Sequence, residues 1–307
     1  MYLEHFNINK YPFELTPNTE FSCNYRSHQE ALNTLLFSIG NGEWIVKIIG
    51  EVGYGKTFLC RELLNCLVDP FVVVYIPNPD LSVTELKRFI LRELQNQMPI
   101  DTTSDADLTQ LIFERILYYH QQEKRVIIVI DEAQILSDKN LETLRLLTNM
   151  ETESKRLLQI VLFAQPELDL RLACYSLRQF NQRITFSYKL TSLDRLEIGR
   201  YIAQRLIVAG HPNGCLFTHA AQRLLHRASK NVPRVINILA HKAMLAAYGN
   251  GKYAVDYWAV RQAIKDSKKI ITQDKYWSWD RIALLSLFTM LAAITISVIK
   301  LFFIESS

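Results

Sequence analysis

The sequence predicts an α/β protein, a mainly parallel sheet covered on both faces by helices, followed by a smaller all-helical unit and a terminal apolar helix. Three observations carry this. Five short β-rich runs alternate with helical patterns over the first two thirds of the chain. Those runs are largely apolar, as strands buried on both faces of a parallel sheet are. After about Leu190 the strand signals stop and only helical spacing of apolar residues continues.

Taken in order, Ile45 to Ile49 reads as a buried strand and Thr57 to Leu67 as a helix, with a glycine-rich loop between them. Phe71-Val72-Val73-Val74-Tyr75-Ile76 is a second strand, ended by Pro77 and Pro79. Leu81 to Gln97 and Leu108 to Gln121 follow as helices, the first with Ser82 as its cap. Val126 to Ile130 is a third strand, almost purely β-branched, and Leu141 to Met150 is again helical. Leu157 to Phe163 is strand-like and Thr185 to Leu190 a weaker strand. Asp194 to Ala209, Thr218 to Ser229, Pro233 to Tyr248 and Val255 to Ser267 carry helical periodicity. The expected division is an N-terminal segment over 1–40, a core over 41–192, a helical unit over 193–270, a linker over 271–281 and a membrane helix over 282–304.

The membrane helix is read from length. Between Arg281 and Lys300 lies an uncharged, mostly apolar run, which at 1.5 Å per residue spans about 27 Å, close to the hydrocarbon thickness of a bilayer. Trp277 and Trp279 precede it, where interfacial tryptophans are enriched. Arg261, Lys265, Lys268, Lys269, Lys275 and Arg281 stand on its N-terminal side against Lys300 alone on the other, so the positive-inside rule places everything before it in the cytoplasm. A buried core helix is the competing reading. Met1 to His5 has no basic segment followed by an apolar run, so no secretory signal is expected there.

Composition narrows the rest. In 307 residues, 49% hydrophobic content supports a substantial folded core, while a net charge of +4 without like-charge blocks gives no electrostatic call for nucleic acid. The five cysteines are odd in number and never spaced C-x-x-C, which argues against a disulfide framework or a zinc site and for a reducing compartment. Seven scattered histidines form no ligand cluster and read as ordinary side chains.

Chemistry concentrates in two places. Gly50-Glu51-Val52-Gly53-Tyr54-Gly55-Lys56-Thr57 fits the phosphate-binding loop of nucleoside triphosphate-binding proteins, and Phe58 continues it into the helix. Backbone N–H groups of such a loop wrap the phosphates, Lys56 reaches the terminal ones, and the Thr57 hydroxyl is suited to magnesium. ATP with Mg2+ is therefore the expected ligand. Tyr54 replaces the small residue usual in such loops, so its ring must point away from the phosphates or stack on another group. Asp131-Glu132 ends the β-branched strand, with Asp131 placed to hold the magnesium hydration shell and Glu132 to polarise an attacking water as general base.

The run Val129-Ile130-Asp131-Glu132-Ala133-Gln134, the segments Leu162 to Leu168 and Leu177 to Ile184, and Val232-Pro233-Arg234-Val235-Ile236-Asn237 together resemble the ExeA/GspA family of AAA+ secretion ATPases. Tyr11-Pro12-Phe13, Pro17 and His28-Gln29-Glu30-Ala31-Leu32 fit it too, and the similarity runs over roughly residues 1 to 270. Within the family, the resemblance points to the ATPases of MSHA-type type IV pilus biogenesis. The resemblance implies an AAA+ P-loop core with a C-terminal helical lid. It puts Gln165 at the sensor 1 position and Arg234 at sensor 2, delivered from the lid to the nucleotide of the same subunit. Asn231 stands where a glycine is usual, and asparagine tolerates the left-handed backbone such a turn needs. Arg183 is the candidate arginine finger for a neighbouring subunit, with Arg178 as the alternative, so a homo-oligomer is implied. Asn78 is either a restraint on Glu132 or a turn former.

By the same resemblance the expected partners are inner-membrane pilus or secretion proteins, and membrane lipid through the C-terminal helix. Better-known members carry a further peptidoglycan-binding domain; the chain ends at Ser307, so a partner is expected to make that contact. Two other readings compete. One is a DNA-transaction ATPase of the transposition-regulator type, which a basic face and steep salt dependence would favour. The other is a nucleotide-sensing scaffold with little turnover.

Overall fold

The structure is a computed structural model describing residues 2–16, 19–21, 25–95, 105–150 and 156–267. One five-stranded sheet is built from β1 (Ile45–Ile49), β2 (Phe71–Ile76), β3 (Arg125–Ile130), β4 (Leu158–Ala164) and β5 (Ile184–Lys189), in spatial order β2-β3-β4-β1-β5. Every pairing is parallel, as the apolar runs predict. The interior strand β4 is buried along its whole length, while edge strand β5 alternates between half-buried and exposed residues. That alternation is why Thr185 to Leu190 gives the weakest strand signal.

Helices α1 (Tyr2–His5), α2 (Arg26–Gly40), α3 (Lys56–Cys66), α4 (Val83–Gln95), α5 (Asp105–Gln121), α6 (Asp138–Leu147), α7 (Glu167–Leu172) and α8 (Arg178–Arg183) belong to the first part of the chain. On one face of the sheet, Leu86, Ile90, Ile112, Ile116 and Leu144 of α4, α5 and α6 share a core with Val126, Ile128 and Ile130. On the other, Leu35, Ile39, Leu59 and Leu63 of α2 and α3 pack with Val46, Ile48, Ile127 and Val129. The strand residues alternate between the two cores, as the two-residue period of a strand requires. Ser82 does cap α4: its hydroxyl accepts from Glu85 N at 3.3 Å while the Glu85 carboxylate accepts from Ser82 N at 2.8 Å, a reciprocal capping box.

Four helices follow the sheet: α9 (Arg195–Val208), α10 (His219–Ser229), α11 (Pro233–Gly249) and α12 (Tyr257–Asp266). Asp194, Thr218 and Asp256 supply side-chain caps to α9, α10 and α12, fixing starts that the periodicity places within two residues. Their core includes Ile198, Ile202, Leu225, Ile236, Leu239 and Val260. Tyr2, Phe6, Ile8, Phe13, Phe21 and Tyr25 belong to this same core. Asn9 N donates to Ala209 O at 2.7 Å and Arg205 Nη1 to Pro12 O at 2.9 Å, so the start of the chain is fastened to the helices that follow the sheet.

The apolar run at 282–304 and the linker at 271–281 lie outside the described residues. Among the described residues, no helix is long and apolar enough to cross a membrane.

Phe163, fully buried in β4, packs in the α2–α3 core. Phe163→Ala is expected to destabilise the protein by about 3–5 kcal/mol, the range for truncating a buried aromatic, read as a lower denaturation midpoint.

Candidate active site

The strand order decides where chemistry gathers. Gly50 N donates to Ala164 O at 3.0 Å, and Asp131 N to Ile76 O at 3.0 Å. The glycine loop and the ends of β3 and β4 thus open on one edge, the C-terminal edge of the strands where α/β sheets bind ligands. Gly53 and Gly55 take φ of +85° and +81°, a left-handed region that glycine enters without a steric cost. Lys56 opens α3 and is buried, with its Nζ donating to Gly50 O at 2.8 Å and Glu51 O at 3.2 Å. Burial pushes the Lys56 pKa down, opposed by the nearby carboxylates of Glu132, Asp131, Glu51 and Glu167.

Asp131 is also buried, and loss of solvent raises its carboxyl pKa against the lowering effect of hydrogen bonds from Thr57 and from Glu132 N. A buried carboxylate beside a threonine hydroxyl is the oxygen set that a hard divalent cation takes, so these residues fit Mg2+. The sign of the shift gives a prediction. An acid whose folded pKa is raised contributes stability that is fully present below its unfolded value and lost as pH rises through the folded one. Asp131→Asn is therefore expected to raise the melting temperature of nucleotide-free protein at neutral pH while weakening Mg2+-dependent nucleotide binding, both read by thermal shift.

Glu132 follows with φ +52° and ψ 38°, a strained conformation for a side-chain-bearing residue. Its N–H donates to Asp131 Oδ1 at 2.9 Å. Its Oε2 accepts from Gln134 Nε2 at 2.5 Å and Gln165 Nε2 at 3.1 Å, and Gln134 Oε1 accepts from Gln165 N at 3.0 Å. Gln165 therefore meets the acid directly, from the end of β4. Gln134, named in the sequence only as part of a matching segment, is a third member of this group. Asn78 is not: its Oδ1 accepts from Asp80 N at 3.3 Å, the turn-forming alternative.

Arg234 arrives from the first turn of α11. Its N–H donates to Gly53 O at 3.2 Å, and a Cβ added to Gly53 would lie 2.9 Å from Arg234 Cβ, so α11 and the loop touch backbone to backbone. The turn before it survives with asparagine, since Asn231 sits at φ +66°, preceded by Lys230 at φ +49°. Arg183 lies elsewhere. It precedes Ile184, which pairs with Ile45 at the start of β1, roughly 13 Å along the strand from the loop end. Its guanidinium lies 4.4 Å from the Trp44 ring centroid and donates to Asn149 Oδ1 at 2.5 Å. Arg178 is exposed beside Glu142, Tyr175 and Gln182.

A cavity of about 350 Å3 joins these parts, lined by Gly53, Lys56, Thr57, Glu132, Gln165 and Arg234. Its other walls include Leu15, Phe21, Tyr25, His28, Tyr201 and Asn237. His28 and Asn237 stand in segments that carry the family resemblance, but Leu15, Phe21, Tyr25 and Tyr201 belong to no motif, because the wall is assembled from the N-terminal segment, α2, α9 and α11 only when these pack together. Tyr54 turns its carbonyl toward His28, whose Nε2 lies 2.8 Å away. His28 is thus not the ordinary histidine that its isolation in sequence suggests. Burial drives its pKa down to about 4, so the ring is neutral near pH 7.

A parallel β2-β3-β4-β1-β5 sheet with this loop, this acid pair and an arginine from a following helical unit defines a P-loop ATPase of the AAA+ class. A family model described as "AAA domain" matches residues 40–172. The chain belongs to the ExeA/GspA-like AAA+ ATPases: it is 39% identical over 256 residues to General secretion pathway protein A of Aeromonas hydrophila. That alignment covers 83% of this chain and 46% of the relative, so the chain spans about half the length of the protein it matches. Among solved structures, Cdc6p from Pyrobaculum aerophilum superposes with a TM-score of 0.63 at 19% identity, covering 81% of this chain and 70% of that one. The Walker-type ATPase of Pyrococcus abyssi gives 0.55 at 18% identity, covering 88% and 80%. At such identities these two similarities speak for the fold alone.

Proposed function

We propose that the chain is a Mg2+-dependent ATP hydrolase anchored in a bacterial inner membrane, with its ATPase part cytoplasmic, that supports assembly of a type IV pilus of the MSHA type or a related secretion apparatus. The carrying observation for hydrolysis is the group Lys56, Glu132, Gln165 and Arg234 around one cavity. Thr57 and Asp131 would hold the metal, which supplies charge neutralisation at the phosphates. Lys56 and the loop N–H groups bind the phosphates, and Glu132 orients water and takes its proton. Gln165, hydrogen-bonded to Glu132, senses the state of that carboxylate, and Arg234 links α9–α12, acting as a lid, to the terminal phosphate. The assignment to secretion or pilus assembly draws support from the identity to General secretion pathway protein A, and anchoring from the apolar sequence at 282–304.

Arg183 does not line its own site, as expected of a finger serving a neighbouring subunit, and its guanidinium rests on Trp44 and Asn149. Mixing tests this. Arg183→Ala subunits keep a complete site and lack the finger, whereas Glu132→Gln subunits keep the finger; the mixture is expected to recover turnover that neither variant shows alone. No recovery between variants that assemble normally would remove Arg183 from this role. Full-length protein is expected to pellet with membranes and to crosslink there to envelope-assembly proteins; full-length protein found in the soluble fraction would overturn the anchor.

A further inference from the structure

We propose that His28 is a positioning residue of the nucleotide site: it holds the Tyr54–Gly55 peptide so that the Gly55 N–H faces the phosphates. The proposal deepens the ATP-hydrolase reading and rests on it.

The geometry is specific. His28 lies in the first turn of α2 and is only 3% exposed. Its Nε2 is 2.8 Å from the Tyr54 carbonyl oxygen, and the Tyr25 hydroxyl meets the same oxygen at 3.4 Å and also contacts His28 Nε2. In a trans peptide the C=O and the following N–H point in opposite directions. Drawing the Tyr54 carbonyl toward α2 therefore turns the Gly55 N–H to the other side of that peptide, into the concavity of the loop. The bulk of Tyr54 is compatible with this, because the contact is made to its backbone.

The ring is itself fixed. Its centroid lies 4.1 Å from that of Tyr25 and 6.1 Å from that of Phe58 on α3, the helix that the loop opens. A Cβ on Gly55 would fall 2.7 Å from His28 Cε1, so the imidazole occupies the space that a side chain at 55 would need. Packing alone does not account for a histidine here. Its Nδ1 is buried with no hydrogen-bond partner, a cost that an apolar ring of the same size would avoid. What the imidazole supplies and an apolar ring lacks is the Nε2–H donor.

The test uses the full chain with three substitutions, His28→Met, His28→Gln and Tyr25→Phe, and wild type measured first for ATP binding. His28→Met keeps bulk without a donor, and is expected to raise the Kd and the KM for ATP about tenfold, with kcat at saturation within about threefold of wild type. That factor corresponds to about 1.4 kcal/mol. His28→Gln retains an N–H donor and is expected to recover most of the loss, while Tyr25→Phe falls between. Melting temperatures without nucleotide separate this from a general loss of packing, which would affect Met and Gln variants alike. The proposal is overturned by folded His28→Met protein with a Kd within twofold of wild type, by His28→Gln no better than His28→Met, or by a fall in kcat with KM unchanged. Wild type that binds no ATP would instead overturn the hydrolase reading and the proposal with it.

Discussion

Lys56→Ala is expected to lower ATP turnover by about 10²–10³-fold, the scale on which one preorganised donor aimed at developing charge contributes. The fold should survive. Lys56 is buried and its charge is disfavoured by that burial, so the alanine variant loses a desolvated ammonium whose hydrogen bonds go to the carbonyls of Gly50 and Glu51. Turnover, nucleotide affinity and melting temperature measured together check this: activity and affinity fall while the nucleotide-free melting temperature stays or rises. A parallel fall in melting temperature would show that the lysine is chiefly a brace for the loop.

Glu132→Gln separates chemistry from binding. Glutamine keeps the shape and the acceptor oxygen but cannot take a proton, so turnover is expected to fall about 10²–10⁴-fold with ATP still bound. The structure adds a detail to that expectation. Glu132 Oε2 already receives amides from Gln134 and Gln165, and a glutamine at 132 can retain those contacts through its own oxygen. The variant should therefore hold the same local conformation, φ +52° included, and accumulate as an ATP-loaded protein. Single-turnover kinetics alongside equilibrium binding would show it. Retention of near-normal turnover would favour a nucleotide-sensing scaffold whose slow hydrolysis does not depend on this carboxylate.

The sheet was legible because each of its strands is marked locally. Ile45 to Ile49 and Val126 to Ile130 are short, apolar and bounded by turn or charged residues, and the strand alternation that sends Ile127 and Ile128 to opposite cores needs no distant information. The phosphate loop and Asp131-Glu132 were legible for the same reason, since their chemistry demands fixed residues at fixed spacing. The spatial order of the strands was not, because pairing β1 between β4 and β5 depends on contacts far apart in sequence. Helix α2 also lacks a local mark; it begins without a side-chain cap, so its start carries no signal in the sequence.

In the candidate site, Gln134 and His28 were visible only as members of matching segments, and the contacts they make were hidden by the same limit. Gln134 lies two residues after Glu132, a spacing that places nothing together in a regular element; only the short turn at Ala133–Ile135 brings its amide back to that carboxylate. His28 is separated from Tyr54 by 26 residues, and its ring finds the loop only after α2 and α3 have packed on one face of the sheet. The wall contributed by Phe21, Tyr25 and Tyr201 joins segments about 180 residues apart in the sequence, and no pattern within either foretells the other.

The fastening of the chain's first residues to α9–α12 has a mechanical consequence. Among the described residues, two crossings connect the sheet with the helical unit: the chain passes at Tyr25–Arg26 and again near Thr191–Asp194. They lie side by side, with Thr191 N donating to Ser27 Oγ at 2.9 Å and Arg26 N to Glu197 Oε1 at 2.9 Å. A body held by a single strand swivels in any direction; one held by two adjacent pins swings about the line that joins them. Any displacement of Arg234 against the loop would then be an opening and closing about that line, with Tyr25 beside it.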